Sequence, residues 1–219
     1  ALAAGKHVFM EKPVCVDPVG ARRMFELAKV ADAKKLSVVA GTQRRHQTIY
    51  VEAMKRLHGG QIGRILGGQA TWYSNGYPGL RVKNPNNVAP EEMEYQTRNW
   101  LLFRWASGDH IVEQHVHNLD VMNWGLRALP QSCTGMGGRQ LDLEFPKMGD
   151  RYDHFGVEYV YEDDVRVASA CRQSPGANHQ IGERFVGTKG TLILSDTRAR
   201  IVGEQPWEMG NANNPYVQE

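Results

Sequence analysis

The chain has 219 residues, a length that suits one domain of good size or slightly more. Hydrophobic residues make up 41% of it and charged residues 23%, which is ordinary for a globular protein. The formal net charge of +2 comes from 26 basic and 24 acidic residues scattered along the chain, so there is no electrostatic case for nucleic acid as a partner. No apolar run approaches the roughly 20 residues that a membrane span requires, and we expect no membrane partner.

The three cysteines are far apart in the sequence and form neither a C-x-x-C pair nor a zinc pattern. A reducing compartment is the simple interpretation, so we predict a cytoplasmic protein, with a periplasmic location left open. Residues 1–5 resemble the end of a helix with a glycine C-cap, and we therefore expect that an upstream portion is missing.

The first part of the chain predicts an α/β layer with parallel strands, because helices and strands alternate. Residues 74–98 are rich in Asn, Pro and Gly and predict a functional loop or lid. Residues 108–126 predict one helix that ends before Pro130. The other elements predicted here are strands over 6–10, 37–41 and 64–73, a helix from 17 to about 36 opened by Asp17 and Pro18, and a helix over 48–58.

The second part predicts an antiparallel sheet. Residues 155–161 and 165–170 alternate around a short acidic turn and predict a hairpin. Residues 183–187 and 191–194 predict a second hairpin, and residues 198–202 predict a further strand. Residues 210–219 have the composition of a loop.

The predicted helix over residues 108–126 carries the densest group of titratable side chains. On a helix, Glu113 and His117 are one turn apart, and Asp120 follows on the same face. Such groups suit proton transfer near neutral pH. His110, His115 and His117 with Glu113 could also bind a metal ion, but H-E-x-x-H is absent and no third ligand at a defined spacing is evident, so we expect no metal.

Five separated segments carry motifs that belong together. They are G-K-H-V-F-M-E-K-P at 5–13, G-T-Q-R-R at 41–45, G-G-Q-I-G-R at 59–64, E-x-x-x-H-x-x-D at 113–120 and F-V-G-T-K-G-T at 185–191. In this order and spacing they resemble the glucose-fructose oxidoreductase, inositol dehydrogenase and rhizopine catabolism (Gfo/Idh/MocA) family. The sequence has Glu113 where the family usually has Asp, and His115 where it usually has Gly.

The resemblance implies a fold that is α/β, or α+β. Residues 1–45 would be the end of a Rossmann domain, and residues 46–219 a substrate and oligomerisation domain. The second domain would have an open, mostly antiparallel sheet covered by helices on one face. It also implies NAD or NADP as cofactor. No G-x-G-x-x-G occurs, so the dinucleotide fingerprint would lie upstream. We expect the chain alone to bind NAD(P) weakly or not at all and to be inactive.

The resemblance also implies which residues act. Lys12, His117 and Glu113 would be catalytic, with Lys12 beside the nicotinamide and His117 as the general acid or base. Aromatic side chains such as Trp72 could wall a sugar pocket, since sugars expose apolar C–H faces. We expect cofactor contacts from Glu11, Lys12, Pro13 and Arg44, and substrate contacts from Lys12, Arg45, Trp72, Arg104, Glu113 and His117; the three arginines are expected from their positions in the chain rather than from the resemblance.

The sequence therefore predicts an NAD(P)-dependent oxidoreductase that transfers hydride between a secondary alcohol of a sugar or polyol and nicotinamide. It predicts a homo-oligomer formed through the open sheet face. Two alternatives remain: a redox-neutral, NAD-dependent glycosidase of the same superfamily, and a non-catalytic sheet domain used for assembly. The first interpretation requires that the Lys12 ammonium and the His117 imidazole converge on one cleft.

Overall fold

A computed structural model describes residues 1–80, 88–141 and 143–210. It has the mixed α/β fold that the sequence predicts. Within these ranges, no helix combines the length and the apolar character needed to cross a membrane. In chain order the elements are β1 (Val8–Met10), α1 (Pro18–Ala33), β2 (Val38–Ala40), α2 (Thr48–His58), β3 (Ile65–Ser74), α3 (Met93–Arg98), α4 (Arg104–Ser107), α5 (Asp109–Glu113), α6 (Val116–Leu126), β4 (Ser132–Gly138), β5 (His154–Val160), β6 (Arg166–Gln173), β7 (Gln180–Gly187), β8 (Gly190–Leu194), β9 (Arg198–Gly203) and β10 (Trp207–Gly210).

The chain forms two compact units, each built from separated segments. Unit 1 comprises Ala1–Thr42, Pro78–Gln114 and Leu141–Tyr152. Unit 2 comprises Gln43–Tyr77, His115–Gln140 and the residues from Asp153 onward. The domain boundary expected after residue 45 stays a prediction.

In unit 1 a short parallel sheet lies beside the long helix α1. Strands β1 and β2 pair in parallel, with Val8 opposite Val38. The α1 N-terminus forms as the sequence predicts, because the Asp17 carboxylate accepts a hydrogen bond from Gly20 N at 2.7 Å. The helix ends at Ala33, three residues earlier than expected, and Lys35 adopts a left-handed conformation with φ 55°.

Unit 2 contains an eight-stranded sheet in the order β10-β9-β8-β7-β3-β6-β5-β4. Every neighbouring pair is antiparallel except β3 and β6, so the expectation of an open, mostly antiparallel sheet is confirmed. Both predicted hairpins form, as β5–β6 and β7–β8. The sequence did not predict β4 or β10, because β4 is glycine-rich and almost wholly exposed, and β10 has only four residues.

Helices α2 and α6 cover the sheet of unit 2 and bury its core. Tyr50 and Met54 of α2 and Met122 of α6 pack with Phe185 in one apolar cluster. Gly125 permits the close approach of α6 to β7, since a Cβ there would lie 2.4 Å from Cζ of Phe185. The contact fixes the height of α6 above the strands.

The structure corrects two predictions about local elements. The segment 74–98 is not all loop, because residues 93–98 form α3; residues 81–87 lie outside the described residues. The single helix predicted over residues 108–126 is two helices, α5 and α6, separated at Gln114 with φ −112° and ψ −49°. Glu113 and His117 therefore do not share one continuous helical stripe.

Candidate functional site

In unit 1 the side chain of Lys12 is held by Glu113. The Lys12 ammonium donates one hydrogen bond to Oε1 of Glu113 at 3.1 Å and another to the main-chain carbonyl of the same residue. Both side chains are largely buried, 19% and 8% exposed respectively. The second carboxylate oxygen, Oε2, is buried and has no hydrogen-bond partner in the part of the chain that the structure describes. A carboxylate accepts several hydrogen bonds, so Glu113 keeps capacity for a ligand donor.

Glu11 and Pro13 flank Lys12 just beyond β1. The Glu11 carboxylate lies over Gly41, which directly follows β2, because a Cβ on Gly41 would stand 2.6 Å from Oε2 of Glu11. Residues 11–13 thus lie at the carboxyl ends of two parallel strands, the edge at which α/β sheets bind ligands. This placement agrees with the cofactor contacts expected for them, and those contacts stay predictions.

In unit 2 His117 lies on the first turn of α6 and is mostly buried. Its ring stacks with Trp72 of β3, with ring centroids 6.1 Å apart and an interplanar angle of 23°. Two residues beside it bind the sheet: His115 Nε2 lies 2.7 Å from Ser169 Oγ, and Asn118 donates to the Thr71 carbonyl at 3.1 Å. This turn of α6 is therefore fixed on the sheet.

A buried carboxylate, Glu183 of β7, is the centre of a polar cluster beneath α6. It accepts hydrogen bonds from Arg44, from Asn118 Nδ2 at 2.7 Å and from the Tyr50 hydroxyl at 3.3 Å. Burial raises the pKa of Glu183 to about 7, while the Arg44 guanidinium and the other donors act to lower it. The Arg44 guanidinium also lies 5.7 Å from the centroid of the Trp72 ring.

Sequence reasoning missed Glu183, Tyr50 and Asn118 as members of this site. One signal was available: period-two alternation puts Glu183 on the same face of β7 as Phe185, which faces the core. An acidic residue at an inward position needs a partner. The partner, Arg44, is 139 residues away in the sequence and has no local signature.

His115, which stands where the family usually has glycine, is a fully buried neutral imidazole. Burial, and after it the positive charge of Arg44, lower its pKa to about 4, while the hydrogen bond with Asn118 opposes both. The ring therefore serves as a hydrogen-bonding anchor for α6, with no charge near neutral pH.

The arginines expected to meet ligands form ion pairs within the chain. Arg44 pairs with Glu183, and Arg45 forms two hydrogen bonds with Asp120, at 2.8 Å and 2.9 Å. Arg104, in unit 1, pairs with Asp150 on the surface. The ligand contacts expected of all three arginines stay predictions.

Residues 103–110 lie in unit 1, directly before the segment that carries Glu113. Asp109 is buried and accepts from Tyr152 N at 3.0 Å, and burial raises its pKa. His110 is fully buried in unit 1. Phe103 belongs to the interior of unit 1, and Trp105 is about half exposed. Across the described ranges, no cluster of three or more His, Cys, Asp or Glu is placed to hold a metal ion.

Comparison with known sequences identifies relatives over most of the chain. No protein-family model matches it. It is 26% identical over 208 residues to an inositol 2-dehydrogenase of Acidothermus cellulolyticus, covering 94% of this chain and 52% of the relative. It is 25% identical over 196 residues to a scyllo-inositol 2-dehydrogenase (NAD(+)) of Bacillus subtilis, covering 89% and 49%. The chain thus spans about half the length of the curated relatives it matches.

Solved structures share the fold. The aldose-aldose oxidoreductase of Caulobacter crescentus, complexed with glycerol, superposes with a TM-score of 0.72 at 18% identity. The match covers 98% of this chain and 59% of that protein. The conclusion from sequence relatives and fold together is that the chain resembles the Gfo/Idh/MocA oxidoreductases, as its motifs predict.

Proposed function

We propose that this chain carries the proton-transfer and polyol-contact residues of an NAD-dependent dehydrogenase that acts on a secondary alcohol of an inositol or related sugar. The observation that supports it most is the Lys12–Glu113 pair. It holds an ammonium largely out of water on a carboxylate whose second oxygen is buried without a hydrogen-bond partner among the described residues. An ammonium and a carboxylate acceptor suit a substrate rich in hydroxyl groups, each of which both donates and accepts a hydrogen bond.

The residues present fit the nicotinamide end of NAD. Residues 11–13 stand at the carboxyl edge of the parallel pair β1–β2, where the Glu11 carboxylate and the Gly41 backbone approach closely. The chain contains no G-x-G-x-x-G for the pyrophosphate, so Glu11, Lys12 and Pro13 would hold only the redox end of the cofactor. When bound, NAD supplies the hydride acceptor.

The side chains of the two units have distinct roles in the proposal. Lys12 donates a hydrogen bond to the reacting hydroxyl oxygen and stabilises the negative charge that develops there. Glu113 orients Lys12 through Oε1 and accepts a neighbouring substrate hydroxyl through Oε2. His117 takes the hydroxyl proton on an imidazole nitrogen as the carbon is oxidised. Joint action of Lys12 and His117 on one substrate stays a prediction.

The test is NAD reduction with a panel of inositol isomers and hexoses, in the longest natural polypeptide that contains residues 1–219. We expect His117→Ala to lower kcat by about 10²–10⁴-fold, the usual contribution of a general base. Lys12→Met should cost a similar factor, and the double variant should lose less than the product of the two, because groups that act as a unit are not additive.

Two outcomes separate the alternatives. Turnover that survives His117→Ala and Lys12→Met would refute the catalytic assignment and favour an assembly role. Sugar release from a chromogenic glycoside without net NADH would favour the redox-neutral glycosidase. A residue outside the proposed site, His179, is exposed and provides the control, since His179→Gln should leave kcat and KM unchanged.

A further inference from the structure

We propose that Glu183 is a positioning residue for His117, acting through Asn118 on the helix that carries the imidazole and through Arg44 on the ring stacked against it. The inference rests on the catalytic role proposed for His117. Glu183 itself touches neither substrate nor cofactor in this scheme, because its side chain is fully buried and occupied by its own chain's donors.

The first route runs through the backbone of α6. His117 lies between His115 and Asn118, and both of these residues bind the sheet. His115 contacts Ser169 on β6, and Asn118 donates to the Thr71 carbonyl of β3 and to Glu183 on β7. Strands β6, β3 and β7 are neighbours in the sheet. The residues near His117 in the sequence, His115 and Asn118, therefore bond the turn to three adjacent strands. Glu183 makes the contact on β7.

The second route runs through aromatic packing. The carboxylate of Glu183 holds the Arg44 guanidinium, which lies 5.7 Å from the Trp72 ring centroid. The Trp72 ring in turn stacks with His117 at 6.1 Å. A cation above an indole face is attracted to it, so Arg44 holds the ring while Glu183 holds Arg44. Without the carboxylate, Arg44 would be an unpaired buried cation and would move toward water.

The Glu183 cluster is better suited to hold structural elements in position than to add to the free energy of folding. A buried ion pair is often no more stabilising than apolar residues of the same volume. The protein loses much stability only when one partner is removed and the other charge stays buried. Glu183 accepts three donors, Arg44 and Tyr50 from one segment of unit 2 and Asn118 from another. Each donor holds its own element in place. The route through Asn118 and the route through Arg44 both end at His117.

The direct test is NMR of the histidine ring protons in the 219-residue chain, with His117→Gln identifying the His117 signal. In the native chain the stacked Trp72 ring should shift this signal away from that of a free imidazole. We expect Glu183→Gln to move it toward the free value. The matched control is Glu208→Gln, which removes an exposed carboxylate paired with Arg198 at 2.7 Å in the same sheet and should leave the His117 signal in place.

The functional readout is a split between kcat and KM in the longest natural polypeptide that contains the chain. Glu183→Gln should lower kcat by about 100-fold with KM nearly unchanged, because a misplacement of about 1 Å costs on that order. Glu183→Asp, which keeps the charge on a shorter arm, should restore part of kcat and part of the ring shift. Glu208→Gln should match the native protein.

A double variant separates positioning from stability. Replacing both Arg44 and Glu183 by Met removes the ion pair together, so the free energy of unfolding should recover relative to Glu183→Gln. If Glu183 positions His117, the His117 signal stays near the free imidazole value and kcat stays low, although the free energy of unfolding has recovered. Recovery of kcat along with stability would overturn the proposal and leave Glu183 a purely structural residue.

Two further outcomes distinguish this inference from the proposed function. If Glu183→Gln does not fold, Asn118→Leu removes the contact of Glu183 with α6, and an unchanged His117 signal there would overturn the route through the helix. If His117→Ala leaves turnover intact, the proposed function fails, whereas the NMR shifts still decide whether Glu183 places the imidazole.

Discussion

The buried imidazole of His115 predicts a pH-dependent stability that one substitution should remove. In the folded protein its pKa is lowered to about 4, against 6.5 for an ordinary histidine, because the ring is buried beside Ser169 and Arg44. Above pH 6.5 neither the folded nor the unfolded chain holds this proton. As the pH falls from 6.5 toward 4, the unfolded chain takes it up first, so stability is lost over that window.

The size of the effect follows from the difference between the two pKa values. At 1.36 kcal/mol per unit, lowering the pKa from 6.5 to about 4 corresponds to about 3 kcal/mol of unfolding free energy. No discount for solvent screening applies, because the His115 side chain is fully buried. His115→Gln removes the titrating ring and keeps a side chain able to hydrogen-bond to Ser169. The free energy of unfolding of this variant should therefore not fall by this amount at low pH.

The assay is urea unfolding between pH 4 and 7.5, followed by tryptophan fluorescence, with Trp72, Trp124 and Trp207 reporting on unit 2. The native chain should lose about 3 kcal/mol more than His115→Gln between pH 6.5 and 4. The exposed His179 provides the control, since His179→Gln should follow the native curve. Parallel curves for the native chain and His115→Gln would refute the reasoning that His115 is buried as the neutral ring.

Two further predictions concern the packing and capping of the units. Phe185→Ala, which empties a fully buried site against Gly125 and α2, should lower the free energy of unfolding by about 3–5 kcal/mol in urea; a loss under about 1 kcal/mol would mean that α6 collapses into the space. Asp17→Ala removes the acceptor of the Gly20 amide and should cost about 1 kcal/mol, seen by circular dichroism, whereas an unchanged transition would show that the α1 N-terminus does not limit the stability of unit 1.

Elements with a strong local signal were predictable from the sequence. The helix α1 was recognisable because Asp17 and Pro18 are a capping residue and a first-turn residue, and these signals act within four residues. The hairpins β5–β6 and β7–β8 were predictable because alternating side chains flank short turns. Strand β4 was not, because its glycines and exposed side chains show no alternation.

The candidate site also has features that the sequence indicated and features that it did not. Lys12, Glu113 and His117 were expected in the site because their segments resemble those of the family, and the structure joins Lys12 to Glu113 by a hydrogen bond of 3.1 Å. The break between α5 and α6 was not predicted, because the helical period continues through Gln114. At the break, His115 contacts Ser169 on β6, a residue 54 positions away that the local pattern does not reveal.

The sequence by itself determined the local elements, the family resemblance and the reactive residue types, because capping, periodicity and motif spacing are properties of neighbouring residues. Only the tertiary structure decided that β3 lies between β7 and a parallel β6, and that Glu183 meets Arg44, Tyr50 and Asn118. The physical reason is that strand pairing and the burial of charge depend on contacts between residues far apart in the chain, where many partners satisfy the same local pattern and only packing selects one.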